Sequence, residues 1–289
     1  MTDGERPWRS ALYIPGSNAR ALDKARGLPV DAIIFDLEDA VAPAEKVAAR
    51  DTLAAALRQG GYGDRALIVR INGFDTEWGE GDFDAVSEMG PPAILLPKVG
   101  AAETVAVFAD RLARRPSTAG TRIWAMIETT RGLFNAAAIA VAPRMQGFVL
   151  GTNDLAAELG CEPGPDRMAL SMALQTTLAA ARMGGIVCLD GVHNAIDDPE
   201  GLRTECAQGR ALGMDGKTLI HPAQIAVANE IFAPSAAEID LAHRRIAAWE
   251  AALAQGKGVA VVDGRIVENL HVASARRTIA RARAAKETG

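Results

Sequence analysis

Two carboxylates near the middle of the chain stand where a metal or a proton could be handled. Glu128 follows the apolar run 123–127, and Asp154 lies four residues past the run 148–150. The segment between them, 133–142, is rich in Ala, Ile and Leu and holds no Gly or Pro. Strand, polar turn, helix, strand and polar turn make a βαβ unit, whose parallel strands present their C-terminal ends on one side. Two acids on one face can hold a divalent cation. The open positions of a hard ion would accept the carboxylate and hydroxyl oxygens of a 2-hydroxy acid, or the two oxygens of a 2-oxo acid. The same acids would also serve as helix N-caps.

Other chemistry-bearing residues fall at similar places. Asp36, Glu38 and Asp39 follow one apolar run, Arg70 and Asn72 a second, and Lys98 a third. Asn153, Asp190, His193 and His221 follow later ones. Arg70 offers a planar fork matched to a carboxylate, and it would equally pair with Glu38 or Asp39. Three acids at 36, 38 and 39 would repel one another unless a cation stands near. Asp36 is expected to support the site from behind. His193 and His221 are expected to pack or hydrogen-bond rather than act as bases, and Lys98 could face substrate or an acid.

These residues need elements to position them. Eight apolar runs occur in order, at 12–14, 32–35, 67–71, 93–96, 123–127, 148–150, 185–189 and 217–220. Helical segments separate them at 19–26, 44–57, 83–89, 102–112, 133–142, 168–183 and 201–212, and another follows at 222–231. Runs without alternation suit parallel strands buried on both faces. Eight such units predict an α/β fold of the (β/α)8 TIM-barrel kind, whose chemistry sits at the C-terminal strand ends. A doubly wound sheet would prefer a Gly-rich phosphate turn after the first strand, and the turn here is Pro15-Gly16-Ser17-Asn18.

The expected organisation is a catalytic barrel over residues 1–232 and a C-terminal helical extension over 233–289. Ser235 and Glu238 form a capping box. Ile239, Ala242, Ile246, Trp249 and Leu253 then make an apolar stripe that must bury itself on the barrel or on a neighbouring subunit. Asp263-Gly264 reads as a hairpin turn, and a basic helix over 271–286 closes the chain. The acidic stretch 72–92 reads as a solvated lid or rim.

A net charge of −5 argues against general binding of nucleic acid or of anionic membranes. No apolar run reaches the length of a membrane span. Three cysteines without a C-x-x-C pair suit a reducing, cytoplasmic compartment, and the polar N-terminus shows no signal-peptide pattern.

The strings RSALYIPGS, IIFDLEDAVAPAEK, IVRIN, LLPKV, IETTRGL, GTNDL, LDGVH and DGKTLIHPAQ, in this order, resemble the citrate lyase β-subunit-like proteins of the HpcH/HpaI aldolase superfamily. That group includes malyl-CoA, β-methylmalyl-CoA and citramalyl-CoA lyases. The resemblance implies a TIM barrel that binds Mg2+, or Mn2+ in its place, and works beside a coenzyme A thioester. It implies Glu128 and Asp154 as metal ligands and Arg70 as the holder of the substrate carboxylate. Glu38 and Asp39 would stand near the metal and its waters, and Gly151, Thr152 and Asn153 would line the substrate. Arg9, Arg20 and Lys24 are the candidate contacts for the coenzyme A phosphates. In the family's lyases an acid from a neighbouring subunit's C-terminal segment completes the site, in a motif resembling G-K-M-I-D. Here that string is Gly264-Arg265-Ile266-Val267-Glu268, so the usual Asp is a Glu.

The resemblance therefore implies a homo-oligomer, a trimer or hexamer, acting on an acyl-CoA and a 2-oxo acid. The first expectation is a Mg2+-dependent carbon–carbon lyase that cleaves a malyl-CoA or citramalyl-CoA type thioester to acetyl- or propionyl-CoA plus glyoxylate or pyruvate. The alternatives are a malyl-CoA thioesterase on the same scaffold, or a citrate lyase β subunit acting on an acyl-carrier-protein thioester.

Overall fold

The computed structural model describes residues 6–287. Eight parallel strands close into a barrel in sequence order, with β8 pairing back onto β1. They are β1 (Ser10–Pro15), β2 (Ala32–Asp36), β3 (Ala66–Arg70), β4 (Ala93–Leu96), β5 (Arg122–Ile127), β6 (Met145–Leu150), β7 (Val187–Asp190) and β8 (Gly216–Leu219). Each predicted apolar run supplies one strand, in a fold of the (β/α)8 TIM-barrel kind. Nine α-helices accompany the strands: α1 (Ala19–Ala25), α2 (Lys46–Gln59), α3 (Gly79–Met89), α4 (Ala102–Ala113), α5 (Thr130–Ala140), α6 (Thr152–Leu159), α7 (Ser171–Gly184), α8 (Pro199–Leu212) and α9 (Ile225–Phe232).

The interior is filled by alternate residues of each strand, as the twofold period of a strand requires. Ala11, Ala32 and Ile34, Ile68, Leu95, Trp124 and Met126, Val149 and Leu189 all belong to one buried cluster. Trp8 stacks on Trp124 at the N-terminal end, with ring centroids 5.0 Å apart. Burying each large side chain of this layer contributes about 1.5–3 kcal/mol. Continuing the period by two residues toward the C-terminal ends reaches Tyr13 on β1, Asp36 on β2, Arg70 on β3 and Glu128 just past β5. The site is thus the polar top layer of a barrel whose lower layers are apolar.

Two expectations about local structure need correction. The segment GTNDL, expected as a polar turn, opens the helix α6, and Asp154 lies in its first turn. An acid there is favoured by the unpaired backbone N–H groups and the dipole of the helix start. The acidic stretch after β3 is not a solvated loop throughout. The helix expected at 83–89 is α3, which begins earlier, at Gly79, and Asp82 in that helix is fully buried. Asp82 accepts Arg50 Nε at 2.7 Å, the Asn72 backbone N–H at 2.9 Å and the Asn72 amide. Glu80 and Asp84 are exposed and pair with Arg111 and Arg115.

The chain divides into two compact units, one spanning Trp8–Asn229 and the other carrying the segment from Glu230 onward. Within the second unit, α10 (Ala236–Ala254) begins at the Ser235–Glu238 capping box. A hairpin of β9 (Ala260–Val262) and β10 (Arg265–Val267) turns at Asp263-Gly264, and α11 (Asn269–Glu287) follows. The expected apolar stripe finds cover inside this unit. Ile246, Trp249 and Ala252 of α10 pack with Ala260 and Val267 of the hairpin and Val272 of α11. Leu253, on the same stripe, stays exposed. All three cysteines are free. Among the described residues no helix is long and apolar enough to cross a membrane.

Candidate active site

A cavity of about 270 Å³ opens at the C-terminal end of the barrel. Tyr13, Asp36, Asp39, Arg70, Met126, Glu128, Gly151, Thr152, Asn153, Asp154 and Asn194 line it. Arg70, Asp39, Glu128, Asp154 and the Gly151–Thr152–Asn153 segment are therefore together, as expected.

Arg70 is held on three sides. Its Nε and Nη2 donate to the two oxygens of Asp36 at 2.7 and 2.6 Å. Its Nη1 lies 2.8 Å from Glu38 and 3.3 Å from Asp39. Its guanidinium stacks 4.7 Å from the centre of the Tyr13 ring. Burial alone would lower the pKa of Arg70, but the charge and hydrogen bond of Asp36, together with Tyr13 and Glu38, outweigh it and hold the group well above its ordinary value. The fork is a fixed positive charge facing the cavity.

Glu128 is buried at the end of β5, and its Oε1 accepts the Lys98 backbone N–H at 2.6 Å. Lys98 adopts a left-handed φ of 49° to aim that N–H, and its side chain is exposed. Gly151 lies directly against Glu128, and a Cβ at 151 would collide with Cβ and Oε2 of the glutamate. A glycine at 151 is what allows the ends of β5 and β6 to approach. Burial, opposed by the Lys98 hydrogen bond and assisted by the Asp154 charge, pushes the Glu128 pKa up to about 7. Glu38 is pushed up to about 8, mainly by burial, against the pull of Arg70.

Burial is the first cause of both rises, and the charge of Asp154 adds to it at Glu128. Among the described residues no third His, Cys, Asp or Glu joins Glu128 and Asp154 into a denser ligand cluster. Two carboxylates and room for waters are what Mg2+ requires, because it keeps much of its hydration and needs only one or two protein carboxylates. The residues present fit that ion, and a softer metal with a full set of side-chain ligands would not be satisfied here.

A second ionic group lies behind the neighbouring strands. Asp190 is fully buried at the end of β7 and accepts Arg167 Nη1 at 2.8 Å. Lys217 on β8 is also fully buried, 3.4 Å from Asp190 and 2.9 Å from Glu205. Burial would raise Asp190, but Lys217 and Arg167 outweigh it and lower its pKa. His193 gives Nδ1 to Glu205 at 2.8 Å, and His221 caps the turn before α9. Both histidines do structural work, as expected.

The sequence candidates Arg9, Arg20 and Lys24 of the barrel unit do not line the cavity. Arg9 precedes β1, at the N-terminal end of the barrel, and is bound to Asp31 by three hydrogen bonds of 2.7–2.9 Å. A residue directly before a strand cannot reach the opposite mouth, so Arg9 is withdrawn as a phosphate contact. Arg20 and Lys24 are exposed on α1, which follows the C-terminal end of β1. Glu268 lies in the second unit and is exposed, its backbone N–H donating to His271 Nδ1 at 3.1 Å. Tyr13 and Asn194 were not foreseen. Tyr13 was hidden in an apolar run, and Asn194 lies in a loop with no pattern of its own. Asn194 exchanges amide hydrogen bonds of 2.8 and 3.2 Å with Asn153 across the cavity mouth.

Known proteins are similar to this chain over nearly its whole length. A (3S)-malyl-CoA thioesterase from Cereibacter sphaeroides is 55% identical over 284 residues, 98% of each chain. The citrate lyase subunit beta of Escherichia coli is 37% identical, covering 96% of this chain and 94% of that protein. Among solved structures, the protein CitE from Mycobacterium tuberculosis, in complex with magnesium, acetoacetate and coenzyme A, matches with a TM-score of 0.79. It is 30% identical, covering 96% of this chain and 99% of that one. The family model described as HpcH/HpaI aldolase/citrate lyase matches residues 9–222. With a barrel, a two-carboxylate centre and a fixed arginine facing one cavity, the chain belongs to the HpcH/HpaI aldolase/citrate lyase family.

Proposed function

We propose that the protein is a Mg2+-dependent thioesterase that hydrolyses a malyl-CoA type thioester to the free hydroxy acid and coenzyme A. The observation that carries this reading is the 55% identity to a (3S)-malyl-CoA thioesterase over 98% of both chains. It reverses the order of the sequence expectations, in which carbon–carbon cleavage came first and hydrolysis second.

The residues support binding of such a substrate. Glu128 and Asp154 would hold the metal, which when bound would supply Lewis-acid polarisation of the substrate's oxygens. Arg70 faces a substrate carboxylate with Nη1, the nitrogen that Asp36 leaves for Glu38, Asp39 and the cavity, its orientation fixed by Asp36. Glu38 keeps its proton to about pH 8 in the metal-free site and can donate it to an oxygen beside Arg70. Thr152 and Asn153 form the wall beside Asp154. Arg20 and Lys24 remain the proposed contacts for the coenzyme A phosphates.

Carbon–carbon lysis stays the second reading, because citrate lyase β subunits share 37% identity with the chain. A homo-oligomer, a trimer or hexamer, belongs to either reading, with Glu268 reaching the site of a neighbouring copy. Exposed apolar side chains flank that acid at Val261, Ile266 and Leu270, which supports a contact surface there. Mixing Glu268→Gln subunits with Arg70→Ala subunits tests it: restored turnover supports a shared site, and none argues for a site within one chain. Asp154→Ala tests the metal assignment. Loss of Mg2+-dependent thiol release is expected, and unchanged turnover contradicts it.

A further inference from the structure

Tyr13 is the one aromatic hydroxyl on the cavity wall, and neither the metal ligands nor Arg70 account for it. Its ring is the platform beneath the Arg70 guanidinium. Its hydroxyl, however, has only a poor partner: among the described residues its hydrogen-bond contact is the Met126 sulfur at 4.0 Å. A thioether is a weak acceptor, and a phenol at a site like this ordinarily finds an oxygen or a water. The other tyrosine, Tyr62, gives its hydroxyl to the Leu22 carbonyl at 3.2 Å. Tyr13 therefore offers a donor at the cavity wall without an oxygen to receive it.

We propose that the Tyr13 hydroxyl is a catalytic hydrogen-bond donor to the thioester carbonyl oxygen, stabilising the oxyanion that forms when water adds there. The inference rests on the thioesterase reading above. In that step the water oxygen bonds to the carbonyl carbon, and the carbonyl π pair moves onto oxygen. The proton of the water passes to Asp39, the solvent-exposed carboxylate of the wall outside the metal-binding pair. Collapse of the intermediate re-forms the carbonyl and breaks the carbon–sulfur bond; the thiolate takes the proton held by Asp39, and the new carboxylic acid loses its own to solvent.

A neutral donor suits this position. It binds a neutral carbonyl weakly and an oxyanion strongly, so its contribution grows between ground state and transition state. The cationic fork of Arg70, by contrast, suits an oxygen that is charged throughout. Burial, opposed by Arg70 and assisted by Asp36, Glu128 and Glu38, holds the phenol above its ordinary pKa, so it stays a donor across the working range. The strand places it as well: Tyr13 lies two residues past Ala11 on the inward face of β1, in register with Ile34 of the neighbouring strand, two residues before Asp36.

The test separates the hydroxyl from the ring. Tyr13→Phe keeps the platform under Arg70 and removes only the donor. Turnover should fall about 100-fold with the KM little changed, the scale of losing one oxyanion donor. Turnover within about twofold of the original would overturn the assignment. A second measurement needs no variant. The chain has two tyrosines, so fluorotyrosine-labelled enzyme gives two fluorine resonances. With Mg2+ and an unreactive amide isostere of the malyl thioester, the Tyr13 resonance should shift. A thioether analogue lacking the carbonyl should leave it near its free position, and Tyr62 should respond to neither. Equal shifts with both analogues would overturn the proposal, even if Tyr13→Phe did not fold. Release of glyoxylate without free thiol by the unmodified enzyme would instead overturn the hydrolysis reading itself, together with the tetrahedral step.

Discussion

Arg70 and Asp36 meet edge to edge inside the barrel, Nε on one carboxylate oxygen at 2.7 Å and Nη2 on the other at 2.6 Å. The pairing uses one edge of the guanidinium and leaves Nη1 for Glu38, Asp39 and the cavity. Both residues are buried, so each depends on the other's charge. Asp36→Asn should therefore cost about 3–5 kcal/mol in urea unfolding, the scale of breaking one side of a buried pair. Arg70→Lys keeps the charge and loses the fork, and kcat/KM should fall on the order of 100-fold. A stable Asp36→Asn protein with full activity would show that the pair does not orient the arginine.

Gly151→Ala probes the approach of two strand ends. The added methyl would meet Glu128 rather than open space. Overpacking of this kind costs about 1–3 kcal/mol. Mg2+ affinity, followed by calorimetry, should drop more than the overall stability does, because the displaced atoms are those of a metal ligand. An unchanged affinity would mean that Glu128 does not hold the ion.

Mg2+ binding should depend on pH through Glu128. Its carboxyl is pushed up to about 7, so below that pH a proton must leave before the ion binds. Affinity should rise with pH, by up to about tenfold per unit, and level off above about 7. At pH 6, calorimetry in buffers of different ionisation enthalpy should record net proton release. The stability of the metal-free protein should move the other way. Glu38 and Glu128 keep their protons in the folded state at a pH where the unfolded chain has lost them. Their contribution is therefore fully present below the ordinary carboxylate range and declines as pH rises to about 8. A flat affinity profile between pH 5 and 8 would contradict this picture.

Lys217 tests the ionic group behind β7 and β8. Lys217→Met leaves Asp190 and Glu205 without that cation in a buried setting, and about 3–5 kcal/mol should be lost. Adding Asp190→Asn should give a combined loss smaller than the sum of the two single losses, because both substitutions break the same Lys217–Asp190 pair. Additive losses in urea unfolding would show that the two residues are not coupled.

The barrel was legible because its strands are buried on both faces and read as apolar runs from Leu12 to Leu219. The acids at their ends were legible for the same reason, since Glu128 and Asp36 interrupt an otherwise uncharged pattern. What escaped depended on tertiary partners. Asp82 looks like any member of an acidic surface stretch until Arg50 and Asn72 are folded onto it. Lys217 lies inside a strand where a cation is tolerated only because Asp190 and Glu205 arrive from elsewhere. Thr152–Leu159 was too short to show a helical period. Arg9 was near the first strand in sequence but at its wrong end, a distinction that a linear reading of charge does not make.

The central claim concerns which bond breaks. Purified enzyme with Mg2+ and malyl-CoA should be followed for free thiol, acetyl-CoA and glyoxylate separately in one reaction. Hydrolysis predicts thiol and malate in equal amounts, with neither acetyl-CoA nor glyoxylate formed at a comparable rate. Acetyl-CoA and glyoxylate appearing together, with no free thiol, would contradict it.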